Sequence, residues 1–162
     1  MKRFLLIAIP SFVAGVIFGA AFWYLASPLW IDRVVNETLA QGEDVMIVAQ
    51  GSFRDADAAH RGKGTARMVA LPGGGVEVQL SGFEVTNGPD LELWLSDHPD
   101  PASSADVTAG NWLSLGLLKG NIGDQSYSVP AGTDLSQYRS VVVWCEQFGV
   151  LFSAAPFGSP DG

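Results

Sequence analysis

From residue 4 to residue 31 the chain carries no charged side chain, and most positions are apolar. A membrane-spanning helix needs about 20 such residues, so one transmembrane helix is predicted there. Past it the pattern changes to short apolar runs broken by Gly, Pro, Asn or Asp. These predict strands at 45–53, 64–71, 76–83, 91–96, 112–118, 125–129, 140–146 and 150–154. Val76, Val78 and Leu80 alternate with Glu77 and Gln79, the pattern of a half-buried strand. Val141-Val142-Val143-Trp144-Cys145 has no alternation, which predicts a central strand covered on both faces. Pro72-Gly73-Gly74-Gly75 reads as a hairpin turn. The expected fold class is all-β: an antiparallel, jelly-roll-like β-sandwich behind one N-terminal transmembrane helix. Residues 98–109 are expected to be irregular, and residues 134–138 to form one helical turn. The expected organisation is a cytoplasmic start and anchor at 1–31, a stalk at 32–44, a β-domain at 45–157 and a tail at 158–162. Within the stalk, Thr38-Leu39-Ala40 is read as a helical extension ended by Gly42.

Phe22, Trp23, Tyr24 and Trp30 cluster toward the far end of the apolar run, as aromatic belts do at the membrane–water interface. Lys2 and Arg3 keep the start in the cytoplasm by the positive-inside bias, which places the β-domain outside. A cleaved signal peptide is the rival reading. Its apolar region is shorter and ends in a small-x-small site, whereas Gly19-Ala20-Ala21 runs straight into Phe22-Trp23-Tyr24. The anchor is therefore preferred, with a single span. From Asp32 onward seven basic residues face seventeen acidic ones, a formal charge of −10. Such a domain repels phosphate backbones, so no nucleic-acid partner is expected.

Several chemistries lack their residues. No His or Cys pair has metal-ligand spacing, so no metal site is predicted. No glycine-rich loop leads into a phosphate-binding helix, and no Gly-x-Ser-x-Gly elbow is present. His60 and His98 are the two histidines. The chain thus offers no hydrolase or transferase constellation. Its single cysteine, Cys145, cannot form an internal bridge: it is buried and inert, joined to another chain, bound to a cofactor, or reactive. Free cysteine is among the most buried residue types, so it can be a small core residue. Alternatively it is a redox residue at a strand end, where Glu146 would raise the thiol pKa and quiet it as a nucleophile.

Three runs carry a family resemblance. Asn87-Gly88-Pro89-Asp90-Leu91 is a turn feeding a strand. The run from Leu118 reads Leu-Lys-Gly-Asn-x-Gly-x-Gln-x-Tyr and ends at Tyr127. Trp144-Cys145-Glu146-Gln147-Phe148 closes the central strand. With Gly51-Ser52-Phe53 and His60, these resemble the DM-13 domain of Skeletor-type proteins, often found beside DOMON and cytochrome b-type domains. The resemblance spans residues 50–157. It implies an all-β extracellular domain with a redox or electron-transfer role, in which Cys145 is the active residue as a bare thiol or a cofactor ligand. His60 matches the histidine that follows the family's first strand. No DOMON or cytochrome segment lies within these 162 residues, so the electron's donor and acceptor are expected on a partner protein. Haem is the candidate cofactor, with Cys145, His60 and Trp144 as cofactor-binding candidates. Trp94, Trp112, Phe148 and Phe152 are further candidates to line an apolar slot. The leading expectation is thus a membrane-tethered redox domain centred on Cys145. A non-redox partner- or glycan-binding module of the cell envelope is the alternative.

Overall fold

The computed structural model describes residues 2–27 and 30–158, in two units divided after Ile31. The first holds helix α1 (Lys2–Ala26), with Pro10 inside it. Its stretch Leu6–Tyr24 has a mean hydropathy of 2.1 and no buried residue. One helix is therefore long and apolar enough to cross a membrane.

The second unit is built from antiparallel strands: β1 (Met46–Ser52), β2 (Arg54–Asp55), β3 (Gly62–Ala70), β4 (Val76–Val85), β5 (Leu91–Ser96), β6 (Trp112–Leu117), β7 (Gln125–Ser128), β8 (Ser140–Cys145) and β9 (Val150–Pro156). They form two sheets, in the orders β1-β3-β4-β7 and β2-β9-β8-β5-β6. The main core lies between the sheets. Met68, Val78, Leu80 and Phe83 from the first meet Leu93, Leu95, Val141 and Val143 from the second. Alternation along β4 does this directly, turning Val78 and Leu80 inward.

β8 is central, between β9 and β5, and every residue of it is buried. Its outer-facing residues, Val142 and Trp144, pack with Trp94, Leu151, Ala154 and Val107 in a second apolar cluster. Val107 comes from α2 (Ser104–Thr108), a short helix within the stretch expected to be irregular. Five residues are too few for a periodic signal, but Ser103 and Asp106 have capping-box spacing and cap it reciprocally. β2 also escaped the sequence reading, because two residues show no alternation. The helical turn expected at 134–138 is a short 3-10 turn, Leu135–Gln137.

The segment expected as a stalk differs most. Thr38-Leu39-Ala40 is not helical, and residues 32–40 lie against the β-domain. Val34 bridges in parallel to Ile122, and the Val35 and Glu37 N–H groups donate to the Ile122 and Asp124 carbonyls, both at 2.9 Å. Leu39 is buried, and the Gln79 amide donates to the Ala40 carbonyl at 3.2 Å. These bonds lay the strap along the segment that leads into β7, the edge strand of the first sheet.

The run 118–127 holds this strap. Asn121 accepts from the Arg33 N–H at 2.6 Å and donates to Asp32 at 2.9 Å. Gln125, wholly buried, accepts from the Gly120 N–H at 3.1 Å and the Tyr127 hydroxyl at 2.8 Å, and donates to the Gly120 carbonyl at 2.9 Å. Lys119 reaches both Glu37 carboxylate oxygens, at 2.8 and 2.9 Å. A side chain at Gly120 would collide with the Arg33 carbonyl, and one at Gly123, whose φ is +103°, with the Val35 carbonyl. At the other end, β9 runs through Pro156 and the Gly158 N–H donates to Gln50 at 2.9 Å. The rest of the expected tail, 159–162, lies outside the described residues.

Candidate functional site

Cys145 ends β8 on the inner face, beside Val143, and is 0 % exposed. It pairs with Leu91 of β5 and Val150 of β9. Its Sγ donates to the Pro89 carbonyl at 3.0 Å. The turn that supplies this carbonyl folds over the strand end. Asp90 adopts φ +52° there, and its carbonyl accepts from the Glu146 N–H at 3.0 Å. Gly88 is needed because a Cβ would meet the Phe152 ring. Burial pushes the Cys145 thiol above its ordinary pKa; the Phe148 and Gln147 N–H groups oppose the shift, and the charges of Asp90 and Glu146 add to it. The result is a neutral, covered thiol, poorly suited to nucleophilic attack.

Trp144 points the other way, onto the outer face. Its ring stacks on Trp94 of β5, with centroids 5.0 Å apart, and Trp94 stacks on Trp112 of β6 at 3.9 Å and 11° between planes. The register explains the stack. Trp144 is opposite Glu92, two residues from Trp94, and Trp112 is opposite Ser96, again two residues from Trp94. Diagonal neighbours on adjacent strands are within reach of large aromatic rings. Trp144 and Trp94 are 3 % and 2 % exposed, whereas Trp112 is 47 % exposed. Both buried indoles donate to carboxylates: Trp94 to Glu92 at 2.7 Å, Trp144 to Glu146 at 3.2 Å. Glu92 also accepts from the Ser114 hydroxyl at 2.6 Å. The stack was not foreseen: three tryptophans on separate strands were visible, but the strand order that makes them neighbours was not.

His60 sits in the loop between β2 and β3. Its Nδ1 bonds Asp57 at 2.8 Å, and this bond first, then the His60 and Ala59 N–H groups, pulls the Asp57 carboxyl down to about 2. The imidazole lies 4.3 Å, centroid to centroid, from the Phe152 ring. Phe152 is the extra residue where the β8–β9 register shifts between Val143 and Trp144, a β-bulge. The bulge turns Phe152 into the inner cluster that holds Cys145. Phe152 thus packs with His60 on one side and belongs to the thiol's cluster on the other. The thiol and the imidazole each bond elsewhere, to Pro89 and Asp57.

A haem needs an apolar slot with an axial ligand facing into it. The residues here do not fit one. Trp94, Trp112 and Trp144 fill their own face by stacking, Phe148 is 65 % exposed in the β8–β9 turn, and Phe152 occupies the inner cluster beside His60. The five aromatics therefore do not line a common cavity. Among the described residues, no three His, Cys, Asp or Glu side chains gather closely enough to hold a metal ion.

The sequence model of a family described as Electron transfer DM13 matches residues 52–157. The chain belongs to that family. Neither the curated proteins nor the solved structures supply a match. The DM13 match starts after the strap and covers the three runs that carried the resemblance. In this DM13 domain those runs are the lid over Cys145, the clasp around Gln125, and the strand end that joins thiol to indole.

Proposed function

We propose that the chain is a membrane-tethered, extracytoplasmic electron-transfer module whose redox segment is the end of β8, Cys145 and Trp144. The DM13 family match supports the electron-transfer class. The apolar helix supports the tether, and the Lys2-Arg3 start supports an outside domain. One observation carries the reading: the single thiol is fully buried, one residue from a stacked indole. Thiol–disulfide exchange requires attack at an accessible sulfur, which Cys145 does not offer. Passing an electron through packed protein needs no such access. A one-electron oxidant on a partner protein takes the electron and leaves a thiyl radical, while the thiol proton, which faces the Pro89 carbonyl, is released to solvent water at the strand end. With haem ligation by Cys145, His60 and Trp144 not fitted by the packing, the reading uses the chain's own side chains.

The test is protein-film voltammetry of the full chain in detergent micelles. A reversible one-electron wave is expected, and its loss in a folded Cys145→Ser chain places it on the thiol. A folded parent chain with no wave overturns the electron-transfer reading. A wave that survives Cys145→Ser moves the centre off the thiol. Trp112 favours a second reading, a glycan- or partner-binding module. Stacked on Trp94 by one face and 47 % exposed, it offers the other to a sugar ring or an apolar side chain.

A further inference from the structure

We propose that Trp112, Trp94 and Trp144 form a relay that carries single electrons across the outer face of the β6-β5-β8 sheet. The inference rests on the electron-transfer reading and names its path. Three features support it. The rings are in continuous contact, at 3.9 and 5.0 Å between centroids. The path runs from an exposed indole to two buried ones, so it has one outlet at the sheet edge and one end beside Cys145. Each buried indole N–H already faces a carboxylate. A hydrophobic core needs none of this order, since aromatic rings pack as well tilted.

Indoles give up an electron only to a strong oxidant, so the acceptor is a high-valent metal centre docking at β6. It takes one electron from Trp112, which is refilled by Trp94, and Trp94 by Trp144. Glu92, held by the Ser114 hydroxyl, is the counter-charge while the deficit rests on Trp94. At Trp144 the indole N–H bond breaks, and its proton passes to the exposed Glu146 carboxylate, leaving a neutral indolyl radical. A one-electron reductant of the ascorbate class returns the electron, and Glu146 returns the proton. The net reaction moves one electron from that reductant to the metal centre.

The test uses the full chain in micelles, with Trp23→Phe and Trp30→Phe to remove the other two indoles, and a photo-oxidised ruthenium polypyridyl complex as oxidant. Radicals are followed by transient absorption and assigned by freeze-quench electron paramagnetic resonance. The expected result is a neutral radical on Trp144. Trp94→Phe, which keeps a ring in the stack, should strand the radical on Trp112 and abolish the Trp144 signal. Glu146→Gln should leave Trp144 as a radical cation. A Trp144 radical that forms equally fast without Trp94 or Trp112 overturns the relay. A missing Trp144 radical beside an intact voltammetric wave sinks the relay alone. The Trp144 radical in a chain whose voltammetric wave survives Cys145→Ser keeps the relay and sinks the Cys145 function.

Discussion

The clasp at 118–127 and the strand end at 144–148 are the two densest signature runs of the chain, and they are built to opposite plans. The clasp is polar and saturated. Gln125 is wholly buried, yet its amide oxygen and nitrogen are both bonded, and Tyr127 is buried enough for its hydroxyl pKa to rise to about 12. The strand end is apolar and stacked, with a neutral thiol on one face and an indole on the other. Saturated polar networks specify geometry and tolerate little change. An aromatic stack can lose a heteroatom and keep its packing. The difference separates residues that make the fold from residues available for chemistry. A family motif marks both alike.

The sharpest probe of that division is Gln125→Leu. It leaves the buried Gly120 N–H and Tyr127 hydroxyl without an acceptor. The expected loss is about 3 kcal/mol in urea unfolding of the full chain in micelles, at roughly 1–3 kcal/mol per orphaned group. A Gln125→Leu chain as stable as its parent would remove the clasp from the account of the fold. Trp144→Phe should lose about 2 kcal/mol, below the roughly 3–5 kcal/mol of a full truncation, because a ring still covers Trp94. Its far-ultraviolet circular dichroism should match the parent's. A loss larger than that of Gln125→Leu would erase the contrast between the two runs.

Cys145→Ser should lose about 1 kcal/mol, since the hydroxyl can still donate to Pro89. In the unaltered chain the thiol should resist a maleimide until urea opens the domain. Rapid labelling of the folded chain would reverse the argument against thiol exchange. Both Cys145 and Tyr127 have raised pKa values in the fold. Their protonated forms are favoured when folded, so the stability they confer is complete below their ordinary values of 9.0 and 10.0 and falls as pH rises through the shifted ones. Chains exported from a haem-replete culture should show no Soret band, and one that vanishes in Cys145→Ser would overturn the packing argument against haem.

Strand positions were readable because alternation and glycine-rich turns are local signals. β5 was placed at 91–96 and β8 within one residue of its end. The clasp was not readable, because Asn121 meets Arg33 across 88 residues of sequence. Two of its glycines make room for another chain segment, which no local signal announces. The site was half readable. Adjacent residues of a strand point to opposite faces, which separates Cys145 from Trp144, but faces do not reveal neighbours, and the β6-β5-β8 order that stacks Trp112, Trp94 and Trp144 is a property of the sheet. His60 and Cys145, named only as candidate cofactor ligands, face no shared slot, because the Phe152 ring from the bulge packs against the imidazole.

The smallest effect tests the strap at its one ionic contact. Lys119 and Glu37 are partly exposed, so their pair is worth no more than about 1 kcal/mol. The Lys119 ammonium first, and the Ser126 N–H next, hold the Glu37 carboxyl below its ordinary 4.5. A depressed carboxylate contributes stability above its ordinary pKa and loses it as pH falls through the folded value. The Glu37 contribution should therefore be complete above pH 4.5 and fade below it. Asp57 should act the same way at still lower pH, toward 2. Lys119→Met removes the largest of these causes from Glu37 and leaves Asp57 untouched. Urea titrations at stepped pH should then show a weaker acid slope just below pH 4.5 and the same slope nearer pH 2. If the slope below 4.5 stays the same, Glu37 is not held by Lys119, and the strap is held without that ion pair, by its bonds to Asn121, Ile122 and Asp124.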